Sequence, residues 1–248
     1  MSAAADLEAL WNAYNPAPVT FDPARIAHHA EPVRRYLTHA IAPGTPLANA
    51  VRLRMHGELK LGEWCPFDAE QVIRWDRGFV WRARVTKSHL PITGADEWID
   101  GEGSMRWRIL GIVPVATGSG RDISRSALGR VQCEAMWLPS VLLSPDVTWE
   151  VHDETHLGVS VRMRGEAAVA QLTLDPSGAL QDFALLRWGN PEKQEFHDVP
   201  FGGLVERERT FGGYTIPSCL RIGWWYGTDR FAGEGEFFRG SVDDVAYR

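Results

Sequence analysis

The sequence predicts an α+β fold in which one large curved antiparallel sheet wraps a central helix, with further helices at the N-terminus. From residue 48 onward, apolar and polar residues alternate with a period of two, as in antiparallel strands that have one wet face. Helical spacing is confined to residues 1–45 and to one stretch in the middle of the chain. The sequence lacks the alternating βαβ rhythm of a nucleotide-binding sheet.

Two helical segments are predicted before the sheet. Residues 3–14 carry apolar side chains at helical spacing and predict a short docking helix. Residues 23–41 predict a second helix, with Asp22 as its N-cap and Pro23 at its first position. Because Pro32 interrupts this segment, we expect two pieces, of which the second is the stronger.

Strands are predicted from alternation and from turn residues. The segment VRLRMHGELKLG, which begins at Val51, has one apolar and one polar face, and residues 64–67 are interpreted as a turn. Residues 76–78 and 175–178 are predicted to be the turns of two hairpins. Further strands are predicted over residues 98–100, 104–113, 148–151, 157–162, 167–174, 180–188, 214–225 and 236–247.

The composition restricts the classes of partner. A chain of 248 residues without repeats or low-complexity linkers predicts a single domain over residues 1–248, with helices in 1–45 and the sheet in 48–248. The formal charge of -6 argues against nucleic acid, and no apolar run reaches the roughly 20 residues that span a bilayer. The N-terminal residues do not resemble a secretory signal, so we expect a cytoplasmic protein. We also expect a monomer or a homodimer. The three cysteines predict free thiols, and no motif implies a cofactor or a metal.

The stretch from Ser124 to Pro145 predicts the central helix, at about residues 126–138. At 3.6 residues per turn its apolar face would carry Leu128, Val131, Ala135 and Leu138. The opposite face would carry Arg130, Glu134 and Trp137. Arg130 and Glu134 form either an ordinary surface pair or, if the sheet encloses the helix, a partly buried acid, base or polar anchor. The apolar residues that follow favour the second interpretation.

Eleven tryptophans among 248 residues favour a core with aromatic walls, a ligand pocket or an interface, although large sheets also use such residues. The side chains predicted to contribute walls or polar contacts to a shared cavity are Trp107, Trp137, Arg187, Tyr214 and Trp224. For these residues, ordinary packing in the sheet is an equally good interpretation.

Five segments together resemble an uncharacterised bacterial protein family. These are PVRRYLTHAI (residues 32–41), W-CPF and the strand after it (64–84), the turn of residues 100–105, the helix GR-x-x-x-E-x-x-W-x-P-S-x-LL (129–143) and GG-Y-x-I-P (212–217). The family is similar in fold to the lipoprotein-localisation-factor (LolA-like) group, which implies a half-barrel sheet around helices and an apolar cavity. The lipoprotein carriers of that group are exported, whereas this sequence predicts no export, so the resemblance implies the cavity alone.

Three hypotheses follow. The first is a protein that binds a small, largely apolar molecule between the curved sheet and the helix, anchored by Arg130 and Glu134. The second is an enzyme of the hydrolase or lyase type, in which Glu134 is a general acid or base and Arg130 stabilises an anion on an apolar substrate. The third is an interaction scaffold whose tryptophan-rich edge pairs with another chain.

Overall fold

The computed structural model describes residues 3–13 and 19–248, and its framework is a 13-stranded antiparallel sheet. The strands are β1 (Ala50–Lys60), β2 (Trp64–Arg74), β3 (Gly78–Lys87), β4 (Leu90–Ile99), β5 (Glu102–Ile109), β6 (Val113–Ser119), β7 (Val147–Val151), β8 (His156–Met163), β9 (Glu166–Leu174), β10 (Leu180–Gly189), β11 (His197–Phe211), β12 (Tyr214–Trp224) and β13 (Glu236–Tyr247).

The helices of the described residues are few and short. They are α1 (Ala3–Trp11), α2 (Glu31–Ala40), α3 (Arg121–Cys133), the 3₁₀ turns Pro23–Ile26, Glu134–Trp137 and Pro139–Leu143, and the π-turn Phe231–Gly235. The predicted division of the second helical segment is confirmed, and the Asp22 carboxylate accepts a hydrogen bond from the Ala24 amide at 2.9 Å. The predicted end of the first helix at Tyr14 lies outside the described residues. The central helix begins at Arg121 instead of at about residue 126.

The sheet consists of two meanders that meet at one seam. Strands β1 to β6 form the first meander and β7 to β13 the second, and β1 pairs with β13 in antiparallel register, with Val51 opposite Tyr247. Helix α3 and the two 3₁₀ turns after it connect β6 to β7. Strands β6 and β7 lie at opposite edges of the sheet. The connection therefore passes from one edge to the other, across the inner face.

The contacts of α3 show that the sheet is strongly curved. The helix contacts both β5 and β10, which lie eight positions apart in the strand order. In a flat sheet these strands would be separated by roughly 38 Å, at about 4.8 Å per strand. One helix can contact both only if the sheet bends around it. The predicted α+β fold, a curved antiparallel sheet around a central helix, is therefore confirmed.

The two faces of the sheet bury different helices. On the inner face, Leu128 and Val131 of α3 belong to the main apolar core. On the outer face, α1 packs Leu7 and Leu10 against Val72 and Val80 in a separate apolar cluster. Side chains alternate along β2, so Val72 points away from the cavity that its neighbour Gln71 lines.

Some strand predictions were wrong for local reasons. The 64–67 segment is the start of β2, not a turn, and Pro66 fits there because β3 first pairs with β2 at Phe67 and needs no donor from Pro66. The single strand predicted over 104–113 is the β5–β6 hairpin, which reverses at Leu110 with φ 54°. Strand β11 was not predicted, since Pro200 and two glycines remove its period-two pattern.

Candidate functional site

A cavity of about 270 Å³ lies between the inner face of the sheet and the C-terminal end of α3. This volume is close to the lower end of the roughly 300–1,000 Å³ typical of small-molecule pockets. Its apolar wall includes Met55, Leu59, Met136, Ile222, Phe237 and Phe238. Strands β1 to β5 and β10 to β13 all contribute, so the cavity spans the seam between the meanders. A wider and more open groove of about 1160 Å³ on the outer face is lined largely by charged side chains and encloses a small apolar molecule less well.

Glu134 lies at the polar end of this cavity and is 6% exposed. The α-helix ends at Cys133, and Glu134 begins the 3₁₀ turn that follows. Its Oε1 accepts a hydrogen bond from Arg130 Nε at 2.6 Å, and its Oε2 accepts one from Gln71 Nε2 at 2.5 Å. Each carboxylate oxygen thus has a donor, which compensates for the burial of the charge.

Arg130 connects two carboxylates. Besides its bond to Glu134, its Nη1 donates to Asp96 Oδ2 at 3.3 Å, and Asp96 Oδ1 also accepts from Trp107 Nε1 at 2.9 Å. The guanidinium lies 5.2 Å from the ring centre of Trp81. Burial lowers the pKa of Arg130, but the charges of Glu134 and Asp96 outweigh it and hold the pKa above the ordinary value.

Arg187 brings a second cation to the cavity from β10. Its Nε donates to the Ser126 carbonyl at 3.2 Å, and its guanidinium lies 4.6 Å from the ring centre of Phe201 and 5.1 Å from that of Trp224. Gly129 of α3 makes room for its stem, because a Cβ at Gly129 would lie 3.3 Å from Arg187 Cγ. Burial, together with the charge of Arg130, lowers the pKa of Arg187 to about 10.

Cys133 lies on the cavity wall beside these groups. Burial, and then the neighbouring charge of Glu134, raises the pKa of the Cys133 thiol to about 12. This thiol therefore stays protonated at neutral pH. A nucleophilic role, which needs a thiolate, is not supported here.

Three of the predicted aromatic positions belong to the cavity wall: Trp107, Trp137 and Trp224. The Trp137 indole donates to the Pro217 carbonyl at 3.0 Å, which fixes the ring in place. Trp107 packs closely over Gly94, where an added Cβ would lie 2.4 Å from the indole. The structure thus brings these rings together with the predicted polar residues Arg130, Glu134 and Arg187.

Tyr214 lies outside the cavity, so its predicted position in the wall was wrong. Its hydroxyl donates to the Pro46 carbonyl at 2.7 Å and accepts from the Ala48 amide at 2.8 Å, and its ring packs 4.1 Å from that of Tyr247. Tyr214 shares a strand face with Trp224, but ten residues of β12 separate them by roughly 33 Å. A common face therefore did not place the two rings in one cavity.

Gln71, Trp81 and Asp96 are cavity residues that the sequence analysis missed. Gln71 is fully buried on β2, and it shares the inner face with the apolar Ile73. Asp96 likewise shares the inner face of β4 with the apolar Trp98. A polar residue at an inward position of an apolar alternation is the signal that was available for both.

The described part of the chain has neither a metal-binding cluster nor a membrane-spanning helix. Within residues 3–13 and 19–248, no group of three His, Cys, Asp or Glu side chains is arranged to hold a metal ion. No helix of these residues is long and apolar enough to cross a membrane.

Two solved structures are similar to this chain over most of its length. A LolA superfamily protein from Nitrosomonas europaea has a TM-score of 0.43 and 7% identity, covering 88% of this chain and 92% of the other. A domain assigned as an outer membrane lipoprotein-sorting protein, from Vibrio parahaemolyticus, has a TM-score of 0.37 and 10% identity, covering 81% and 86%. These values support no transfer of function.

No curated protein matches the sequence. One family model matches residues 30–247, which is most of the chain, and this confirms the resemblance to an uncharacterised family. The chain belongs to DUF6920, a family of unknown function.

Proposed function

We propose that this protein binds a small, largely apolar molecule in the cavity between the curved sheet and α3. The observation that carries the proposal is a cavity of about 270 Å³ whose wall is mainly apolar and aromatic and whose charged groups are gathered at one end. A few convergent polar groups in an otherwise apolar pocket are typical of small-molecule sites, where they orient the ligand.

The depth of the wall supports a molecule that enters with one end first. Glu134, Met136 and Trp137 are buried, whereas Trp224 and Phe238 are only half-buried. Arg187, whose guanidinium lies 5.1 Å from the ring centre of Trp224, is also half-buried. The cavity therefore has a closed side at Met136 and Trp137 and a more open side at Trp224 and Arg187. An apolar body on the closed side and a polar end beside the arginine fit this difference.

The same site can be considered as that of a hydrolase or lyase in which Glu134 is the general acid or base. A group with that role needs an oxygen within hydrogen-bond reach of the substrate. Both oxygens of Glu134 already accept hydrogen bonds, from Arg130 and Gln71. Each oxygen keeps a further lone pair, so the same geometry suits an anchor and a catalytic carboxylate, and a turnover measurement separates the two.

The test uses 1-dodecanol as an apolar probe, with binding measured by isothermal titration calorimetry and native mass spectrometry. We expect the wild type to bind dodecanol with one site per chain. Ile222→Trp fills the cavity wall and should lower the affinity about tenfold or more. Leu186→Trp, at a position that is 66% exposed, is the matched control and should bind as the wild type does.

Binding that is equal in the wild type and in Ile222→Trp, or no binding of any apolar probe to the folded wild type, would contradict the proposal. A small molecule that copurifies with the native protein and is lost on denaturation would support it independently. Glu134→Gln separates binding from catalysis: an anchor predicts a modest change in affinity, whereas a catalytic acid or base predicts a loss of orders of magnitude in turnover.

A further inference from the structure

We propose that the polar end of the ligand is a monocarboxylate and that Arg187 binds it, with the alkyl or ring body of the ligand lying along the aromatic wall. This inference rests on the proposed function and adds the chemical class of the ligand. It depends on the difference between the two arginines of the cavity. Among the described residues, Arg130 has carboxylate partners and Arg187 has none.

The charge of Arg130 is already matched. It forms ion pairs with Glu134 at 2.6 Å and with Asp96 at 3.3 Å. Arg187, in contrast, forms no ion pair within the described residues, and its one hydrogen bond there is from Nε to the Ser126 carbonyl. Its two terminal nitrogens donate to no residue among 3–13 and 19–248 and are accessible to solvent or ligand.

The surroundings of Arg187 make an unmatched cation costly. Its guanidinium lies over the faces of Phe201 and Trp224, which supply a weak cation–π attraction but no hydrogen-bond acceptor. Burial of this partly exposed side chain and the charge of Arg130 disfavour its charged form, and the charges of Glu134 and Asp96 offset these two effects only in part. A bound anion would offset both effects, and the planar fork of an arginine matches a carboxylate in geometry.

A second donor points to the same chemistry. Trp81 lines the cavity, is 4% exposed, and its buried indole Nε1 has no hydrogen-bond partner among the described residues. Glu134 and Asp96 accept hydrogen bonds from Gln71, Arg130 and Trp107, and not from Trp81. The Gln71 Oε1 atom also lacks a partner in this part of the chain and would suit a ligand hydroxyl, but a hydroxyl would leave Arg187 unmatched.

The surroundings of Arg187 favour a single negative charge over a phosphate. Glu134 and Asp96 are both paired with Arg130, and Arg187 forms no ion pair within the described residues. A monocarboxylate would supply Arg187 with one such partner. A second negative charge would meet the nearby carboxylates and be repelled.

The test compares four probes that share one alkyl chain: dodecanoate, 1-dodecanol, dodecyltrimethylammonium and dodecyl phosphate. Each is titrated at pH 8 below its micelle concentration, and binding is followed by calorimetry and by the fluorescence of the cavity tryptophans. We expect dodecanoate to bind the wild type about tenfold or more tightly than dodecanol, and the ammonium probe to bind most weakly.

Variants assign the difference to Arg187. Arg187→Gln should remove most of the preference for dodecanoate and leave the affinity for dodecanol within about twofold, whereas Arg187→Lys should keep part of it. Arg84→Gln loses the same charge at an exposed position of β3 and should retain the full preference. If Arg187→Gln fails to fold, the affinities of the wild type and of Arg187→Lys for dodecanoate and dodecanol still show whether Arg187 causes the preference.

The outcomes separate this inference from the proposed function. If dodecanol binds the wild type as tightly as dodecanoate does, the cavity binds apolar molecules but the carboxylate assignment is wrong. If dodecyl phosphate binds more tightly than dodecanoate, the choice of a monoanion is wrong. If neither dodecanol nor dodecanoate binds the folded wild type, the proposed function fails and this inference fails with it.

Discussion

Glu134 and Glu236 are two buried carboxylates with opposite surroundings. Glu236 is 1% exposed, and it accepts hydrogen bonds from Arg221 at 3.0 and 2.5 Å and from Arg239 Nε at 2.6 Å. Those two arginines are 32% and 43% exposed, so water also solvates their charges. The Glu236 cluster is satisfied without any further molecule.

The Glu134 cluster is different: both oxygens of Glu134 accept hydrogen bonds, while the neighbouring Arg187 forms no ion pair with a described residue. Arg130 serves both Glu134 and Asp96, and Arg187 beside them has no carboxylate partner among the described residues. The comparison teaches that a buried carboxylate does not by itself mark a site. The informative observation is the partner that is missing.

The largest effect is expected from Glu134→Ala. This change leaves the half-buried Arg130 with Asp96 as its remaining carboxylate partner and removes the acceptor of the buried Gln71, so the free energy of unfolding should fall by roughly 2–3 kcal/mol. Glu166→Ala, at a side chain that is 59% exposed, is the control and should change it by less than about 0.5 kcal/mol. Urea unfolding measures both, and a Glu134→Ala loss below about 1 kcal/mol would show that the pair is effectively solvated.

Each cluster also has a cysteine, and the two thiols sharpen the comparison. Cys133 lies in the cavity, where burial raises the pKa of its thiol from 9.0 to about 12, so its thiolate fraction should be on the order of a thousandfold lower. Cys219 lies beside Arg221 and Arg239 on the outer face. We expect iodoacetamide at pH 8 to label Cys219 far faster than Cys133, as measured by peptide mass spectrometry. Equal labelling rates would contradict the desolvation of the cavity.

A smaller effect is expected from Glu236→Gln, and it depends on pH. The hydrogen bonds from Arg221, helped by the one from Arg239, outweigh the effect of burial and lower the pKa of Glu236 from 4.5 to about 2 in the folded protein. The stabilisation is therefore fully present above pH 4.5 and is lost as the pH falls through about 2.

At neutral pH we expect Glu236→Gln to lower the free energy of unfolding by about 1–2 kcal/mol, since both arginines are partly solvated. Urea unfolding of the wild type and the variant from pH 7 to pH 2 measures the difference, which should shrink towards the acidic end. A difference that is constant with pH would show that the carboxylate charge does not cause it.

Local pattern was sufficient for the part of the site that one helix carries. Arg130 and Glu134 are four residues apart, so helical spacing alone places them on one face beside Trp137. Arg187 and Trp224 were predicted as contributors, but their contact with one another depends on the pairing of β10, β11 and β12.

The rest of the site depends on long-range register that no local pattern reveals. Gln71 contacts Glu134 because strand pairing places this position of β2 beside the C-terminal end of α3. Asp96 contacts Arg130 from β4 for the same reason. The prediction for Tyr214 failed for a related reason. Alternation gave the correct face of β12, but Tyr214 lies too far along the strand to contact the cavity. The fold class was easier to predict, because alternation over a long stretch tolerates the loss of β11 or a misplaced hairpin.

The seam between β1 and β13 has a consequence for the order in which this protein matures. Residues 51 and 247 are partners, so the seam closes only after synthesis has passed residue 247. The cavity takes its walls from both sides of that seam, including Phe237 and Phe238 of β13. A ligand therefore meets a complete site only after β13 has paired with β1, and its binding would stabilise protein chains with a closed seam over those with an open one.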